Sequence, residues 1–124
     1  MPDSRRYLSE ARTGAESIMA DNAQRLKGML GFAMRAGKLI IGTEIVCSSL
    51  SSRKPPLLVA VSNGASDATK KKISYKCEFY GIKTVQINMN TDELGHLLGK
   101  TYTPAVIGIM DEGFAKEIEK LSIG

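Results

Sequence analysis

The chain has one histidine, His96, two cysteines, Cys47 and Cys77, and no apolar run near the 18 to 20 residues a membrane span needs. The first thirty residues lack the apolar stretch of a signal peptide, so a cytoplasmic protein is expected. In that reducing compartment the two cysteines, both at apolar positions of expected helices, read as core thiols rather than a disulfide or metal site. Several enzyme signatures are also missing. There is no G-x-G-x-x-G after a strand, no Walker loop, no G-x-S-x-G and no His/Cys metal spacing. His96 has no carboxylate or nucleophile partner in sequence, so it reads as structural or solvent-facing. A phosphorelay receiver would need an aspartate where the strand ending at Val61 instead runs into Ser62-Asn63-Gly64. No catalytic residue, cofactor or metal is expected.

What the chain does have is unevenly placed positive charge. Its 124 residues carry a net charge of +4. Between residues 25 and 76, ten cations face only Glu44 and Asp67, a surplus of eight. Beyond residue 76, four lysines face seven acids. One side for an anionic partner and one for solvent is the simplest reading. Any single lysine, or Lys70-Lys71-Lys72 taken alone, is better explained as a solvated surface.

Residues 1–20 have few large apolar side chains and read as a flexible or loosely helical tail. Residues 21–124 are expected to form one domain, since the chain is too short for two ordinary cores. Asp21 or Asn22 is expected to cap a first helix with Ala23, Leu26, Leu30 and Ala33 inward, stopped by Gly37. A short strand at 39–41 follows, then a second helix capped by Thr43 and running to about Ser52, with Pro55-Pro56 beyond it. Residues 57–61 are continuously apolar, as a strand covered on both faces would be. A third helix, starting at Ser66 or Asp67, should bury Ile73, Cys77 and Tyr80 and turn its lysines outward. Strands at 84–87 and 105–110, a helix at 91–98 and a last helix capped by Asp111 complete the pattern. Alternating helices and buried strands predict a three-layer α/β/α sandwich with a small mixed central sheet of about four strands.

The most informative segment is 35–44, where one helix ends, a strand passes and another helix begins. A helix start has unpaired amides and a partial positive charge, so with Arg35 and Lys38 close by it is expected to hold a phosphate backbone.

Four segments together carry a family likeness. They are Leu30-Gly31-Phe32-Ala33-Met34-Arg35-Ala36-Gly37-Lys38-Leu39-Ile40-Ile41-Gly42-Thr43-Glu44, then Lys70-Lys71-Lys72-Ile73, then Leu94-Gly95 with Leu98-Gly99-Lys100, and Asp111-Glu112-Gly113-Phe114-Ala115-Lys116. In this order, over about residues 22–121, the chain resembles the ribosomal protein superfamily of L-seven-Ae and L-thirty-e, in particular its bacterial YlxQ-type members. The resemblance implies recognition of a kink-turn or similar internal loop in structured RNA, rRNA or other, by a monomer associated with the ribosome or with translation. It places the sheared G·A contacts at Gly42, Thr43, Glu44, Ile45 and Ser48, with Arg35 and Lys38 beside them. It places a loop closing over a flipped-out nucleotide at Gly99, Lys100, Thr101, Tyr102 and Thr103, and Lys70 and Lys71 join the RNA-facing set. Strong RNA binders of the family have Asn-Glu and, one turn later, Lys, where this chain has Glu44-Ile45 and Ser48. Weaker or differently specific binding is the expectation. A protein-interaction module of the translation or transcription machinery is the alternative, and a substrate-binding accessory to an RNA-modifying enzyme, acting in trans, is a third reading.

Overall fold

The computed structural model describes residues 14–122, with side chains from residue 21 onward. Helix α1 spans Gly14–Arg35, followed by β1 at Leu39–Ile41 and α2 at Thr43–Ser49. Then come β2 at Leu58–Ser62, α3 at Asp67–Tyr80, β3 at Lys83–Ile87, α4 at Thr91–Leu97, β4 at Val106–Ile109 and α5 at Glu112–Leu121. Helix α1 already runs at Gly14, so Asp21 and Asn22 lie inside it and do not cap it. Residues 1–13 of the expected tail lie outside the described residues.

The sheet order is β1-β4-β2-β3. Strands β2 and β3 run parallel, and β4 runs antiparallel to both β1 and β2, so the sheet is mixed. All five residues of β2 are buried, as expected for 58–61, but the strand starts one residue late: Leu57 is 51% exposed and Ser62 takes the fifth buried place. Alternation along the strands divides the core in two. Leu58, Ala60, Ile107 and Ile109 pack with Leu26 and Leu30 of α1, Leu94 of α4 and Ile118 of α5. Val59, Val61 and Val106 pack on the other face with Val46 and Leu50 near α2 and with Ile73 and Cys77 of α3. Helices thus cover both faces, and the three-layer α/β/α sandwich is the observed architecture.

Helix ends follow residue chemistry where the chain turns sharply. After α1, α3 and α4 the chain passes through Gly37, Gly81 and Gly99, all near φ +70°. Each makes the paired closing bonds of a Schellman turn, as in Lys38 N to Ala33 O and Gly37 N to Met34 O. Asp111 caps α5 by accepting from the Phe114 amide at 3.0 Å. One expected cap is different. Thr43 is the first residue of α2, and the cap position belongs to Gly42, at φ 119° and ψ 142°. The helix is also shorter than expected, ending at Ser49. Tyr80, expected in the core, is 43% exposed, because burial on α3 is confined to Ile73 and Cys77.

Candidate nucleic-acid interface

The strand directions gather four connections at one end of the sheet. Ile41 pairs with Ile107, Val61 with Val106, and Ser62 with Ile87, so the chain leaves β1, β2 and β3 at the end where it enters β4. Hydrogen bonds knit this edge together. The Gly42 amide donates to the Val106 carbonyl at 2.9 Å, and the Ser62 amide to Ala105 at 2.8 Å. The buried Ser62 hydroxyl donates to the Met89 carbonyl at 2.6 Å, and the Asn63 side chain to that of Asn88 at 2.8 Å.

Two of the four connections contain the expected RNA-facing residues. At the first, the Gly42 backbone turns the chain from β1 into α2, and the first bond inside the helix is Val46 N to Gly42 O. No side chain caps this end, so the amides of Thr43, Glu44 and Ile45 point outward without a cap. Glu44, Ile45 and Ser48 are exposed, Ile45 unusually so for an apolar residue at 57%. The second connection runs from Gly99 to Ala105. Thr101, Tyr102 and Thr103 are exposed and Lys100 is half-buried. The loop is seated on α4, where buried Gly95 lies beneath the Tyr102 carbonyl. An Asn90–Glu93 capping box fixes the start of that helix.

Helix α3 flanks the same edge. Lys70 Nζ donates to the Asn63 carbonyl at 3.2 Å. Lys72 Nζ meets Glu44 Oε2 at 3.0 Å, which ties the lysine face of α3 to the first turn of α2. That hydrogen bond raises the Lys72 pKa above the ordinary lysine value. Lys71 is exposed beside it. The Lys72–Glu44 pair leaves no signal in the sequence, because its members are 28 residues apart.

Arg35 and Lys38 are placed differently from expectation. Leu39 pairs with Ile109, and the Lys38 carbonyl accepts from Met110. Both cations therefore belong to the chain at the opposite end of β1 from Gly42, with the Lys38 backbone about 13 Å away at ~3.3 Å per strand residue. The Arg35 guanidinium instead stacks over the Phe32 ring at 5.0 Å. The phosphate-binding corner expected from segment 35–44 is thus split along a strand, and the cation paired with the first turn of α2 is Lys72 of α3.

His96 is exposed on α4. Cys77 is buried and Cys47 half-buried, both as thiols in the α2–α3 side of the core. Among the described residues no helix is long and apolar enough to cross a membrane.

Comparison with known proteins places this arrangement in a lineage. The family model described as "Ribosomal protein L7Ae/L30e/S12e/Gadd45 family" matches residues 24–119. The RNA-binding protein YlxQ of Enterococcus faecium is 37% identical over 103 residues, covering 83% of this chain and 96% of its own. The large ribosomal subunit protein eL30 of Sulfolobus acidocaldarius is 34% identical over 97 residues, covering 78% and 92%. A solved Bacillus halodurans protein, described as of unknown function, superposes with a TM-score of 0.70 at 34% identity, covering 77% of this chain and 94% of that one. The 15.5kD RNA binding protein of Giardia lamblia shares the fold, with a TM-score of 0.64 at 15% identity over 82% of this chain and 84% of its own. The chain belongs to the ribosomal protein L7Ae/L30e/S12e/Gadd45 family, as a YlxQ-like bacterial member.

Proposed function

We propose that this protein binds structured RNA, and that its target contains a kink or internal loop. Relatives named as RNA-binding and large-subunit ribosomal proteins support the RNA class. The observation that carries the finer reading is the Gly42–Val106 hydrogen bond, which holds the uncapped entry of α2 and the approach from the 99–103 loop to one edge.

The chemistry of that edge suits irregular RNA. Gly42 lets backbone come close to backbone, and the amides of Thr43 and Glu44 donate to phosphate oxygens. The Glu44 carboxylate accepts from a guanine edge, and exposed Ile45 lies against the face of a base. Lys100 and Lys71 take phosphates, with Ser48 and Lys70 at the rim. Gly99, Thr101, Tyr102 and Thr103 enclose a base turned out of its stack. A regular A-form groove hides the base edges that such contacts require, and a kink opens them. Arg35 and Lys38 meet only an RNA arm that continues along β1. The binding unit is a single domain that works as a cytoplasmic monomer associated with ribosomes or translation.

A gel-shift titration tests the reading with kinked RNA and a plain duplex of equal length. Preference for the kinked RNA, lost on substitution at Glu44 and Lys100 together, is the expected result. Equal weak affinity for both RNAs would remove specific recognition. Co-sedimentation of the protein with ribosomal particles tests the association.

A further inference from the structure

Helix α3 has two exposed aromatic side chains that the contacts above leave unused. Its inward residues are Ile73 and Cys77. At about 100° per residue, Tyr75 points directly away from them, with Lys71 and Lys72 one turn earlier on either side and Phe79 one turn later. Tyr75 is 75% exposed and Phe79 76%. Phe79 meets Tyr80 edge-on, with ring centroids 5.0 Å apart, which holds its ring at the end of the helix. Lys71, Lys72 and Lys76 are exposed around these rings, and Glu78 is the acid among them.

Two large aromatic rings held in water contribute nothing to either core cluster. Their neighbours give the partner's chemistry: it is anionic, and it has flat faces. Unpaired nucleotides have both properties, because every base offers a stacking surface and every linkage a negative charge. The salt bridge from Lys72 to Glu44 makes this face continuous with the first turn of α2. An RNA held at that turn therefore already has α3 beside it.

We infer that the outer face of α3 is a stacking platform for single-stranded RNA flanking the structured element. Tyr75 and Phe79 lie beneath bases, and Lys71 and Lys76 neutralise the linking phosphates, while Lys72 stays paired with Glu44. The two rings are about 6 Å apart along the helix, so adjacent nucleotides of an extended strand reach both. The continuity of the platform with the α2 site rests on the RNA reading above, whereas its chemistry rests on α3 alone.

Fluorescence anisotropy of the full chain tests this with three RNAs: the kinked element, the same element with a single-stranded extension of about ten nucleotides, and a free oligouridine of that length. The extension should tighten binding about tenfold. The Tyr75→Ala/Phe79→Ala double variant should lose that gain while keeping its affinity for the element alone, and Tyr75→Phe, which retains the ring, should keep the gain. Oligouridine binding that the double variant loses, with no binding of the kinked element, would overturn the structured-RNA reading and leave the platform standing. An extension that adds nothing, or a gain that survives the double variant, would overturn the platform. So would self-association of the wild type that the double variant abolishes, since the face would then belong to a second copy of the chain.

Discussion

Gly95 lies so close beneath Tyr102 that a β-carbon at position 95 would fall 2.6 Å from the Tyr102 carbonyl oxygen. The obstacle is backbone, which cannot swing aside as a flexible side chain would. In an open helix, Gly→Ala gains about 1 kcal/mol of helix propensity. Here the overpacking penalty, about 1–3 kcal/mol, opposes and exceeds it. Gly95→Ala should lower the melting temperature and lift the 99–103 loop, seen as amide NMR shifts concentrated in that segment. A melting temperature at or above wild type would mean the loop is not seated on α4.

Gly42 should be the least replaceable glycine at a turn. Its φ of 119° with ψ of 142° lies in a region open essentially to glycine alone. A β-carbon there would meet nothing closer than Ile45 Cδ1 at 3.8 Å, so the penalty is conformational and not a clash. Gly42→Ala should cost about 1–3 kcal/mol by urea denaturation. Gly37, at φ 71°, is in the left-handed helical region that asparagine tolerates. Gly37→Asn should therefore cost clearly less, and the reverse order would remove the strained turn as the device that opens α2.

What was legible in the sequence was local. The buried run of β2, the glycines ending α1 and α3, and the Asp111 cap each depend on neighbours within a few residues, and each is where the pattern puts it. The cap of α2 is not legible from residue type, because Thr43 has cap chemistry whereas the turn is made by backbone freedom at Gly42. Arg35 and Lys38 form no corner with Gly42, because nearness in sequence is not nearness in space across an intervening strand. The Lys72–Glu44 pair and the seat of Tyr102 on Gly95 depend on tertiary packing, which no periodicity encodes.

Alkaline pH should weaken the fold through Cys77. Burial raises the Cys77 pKa, so the thiol stays neutral in the folded chain while the unfolded one ionises from about pH 8.5. Stability is complete below that value and falls as pH rises above it. Lys72, raised by its hydrogen bond to Glu44, has the same sign, but as half of a solvent-exposed pair it adds little to that loss. Urea midpoints measured between about pH 7 and 10 should fall only in the upper half of that range. Cys77→Ala should start lower and show a shallower fall, and an identical slope would take Cys77 out of the account.

Lys100 should act on RNA through charge alone. If it neutralises one phosphate, Lys100→Ala weakens binding to kinked and plain RNA by similar factors and reduces the slope of log K against log salt by about 0.7–0.9. Affinities measured across a salt series separate this from a loss of shape recognition. An unchanged slope would place Lys100 outside the interface.

Glu44 should do the opposite. Its carboxylate is anionic in a surface otherwise rich in lysine, and both it and Lys72 are solvent-accessible. A surface pair of this kind contributes little to stability, so Glu44→Gln should leave the melting temperature unchanged. Removing the charge frees Lys72 and lessens repulsion of any phosphate backbone, which raises affinity for a plain duplex. Glutamine is also a poorer acceptor than carboxylate for a guanine edge, because charge-assisted hydrogen bonds are the stronger ones. The ratio of kinked to plain affinity should therefore shrink from both sides at once. A variant that binds both RNAs more tightly by the same factor would show that Glu44 only repels and reads no base.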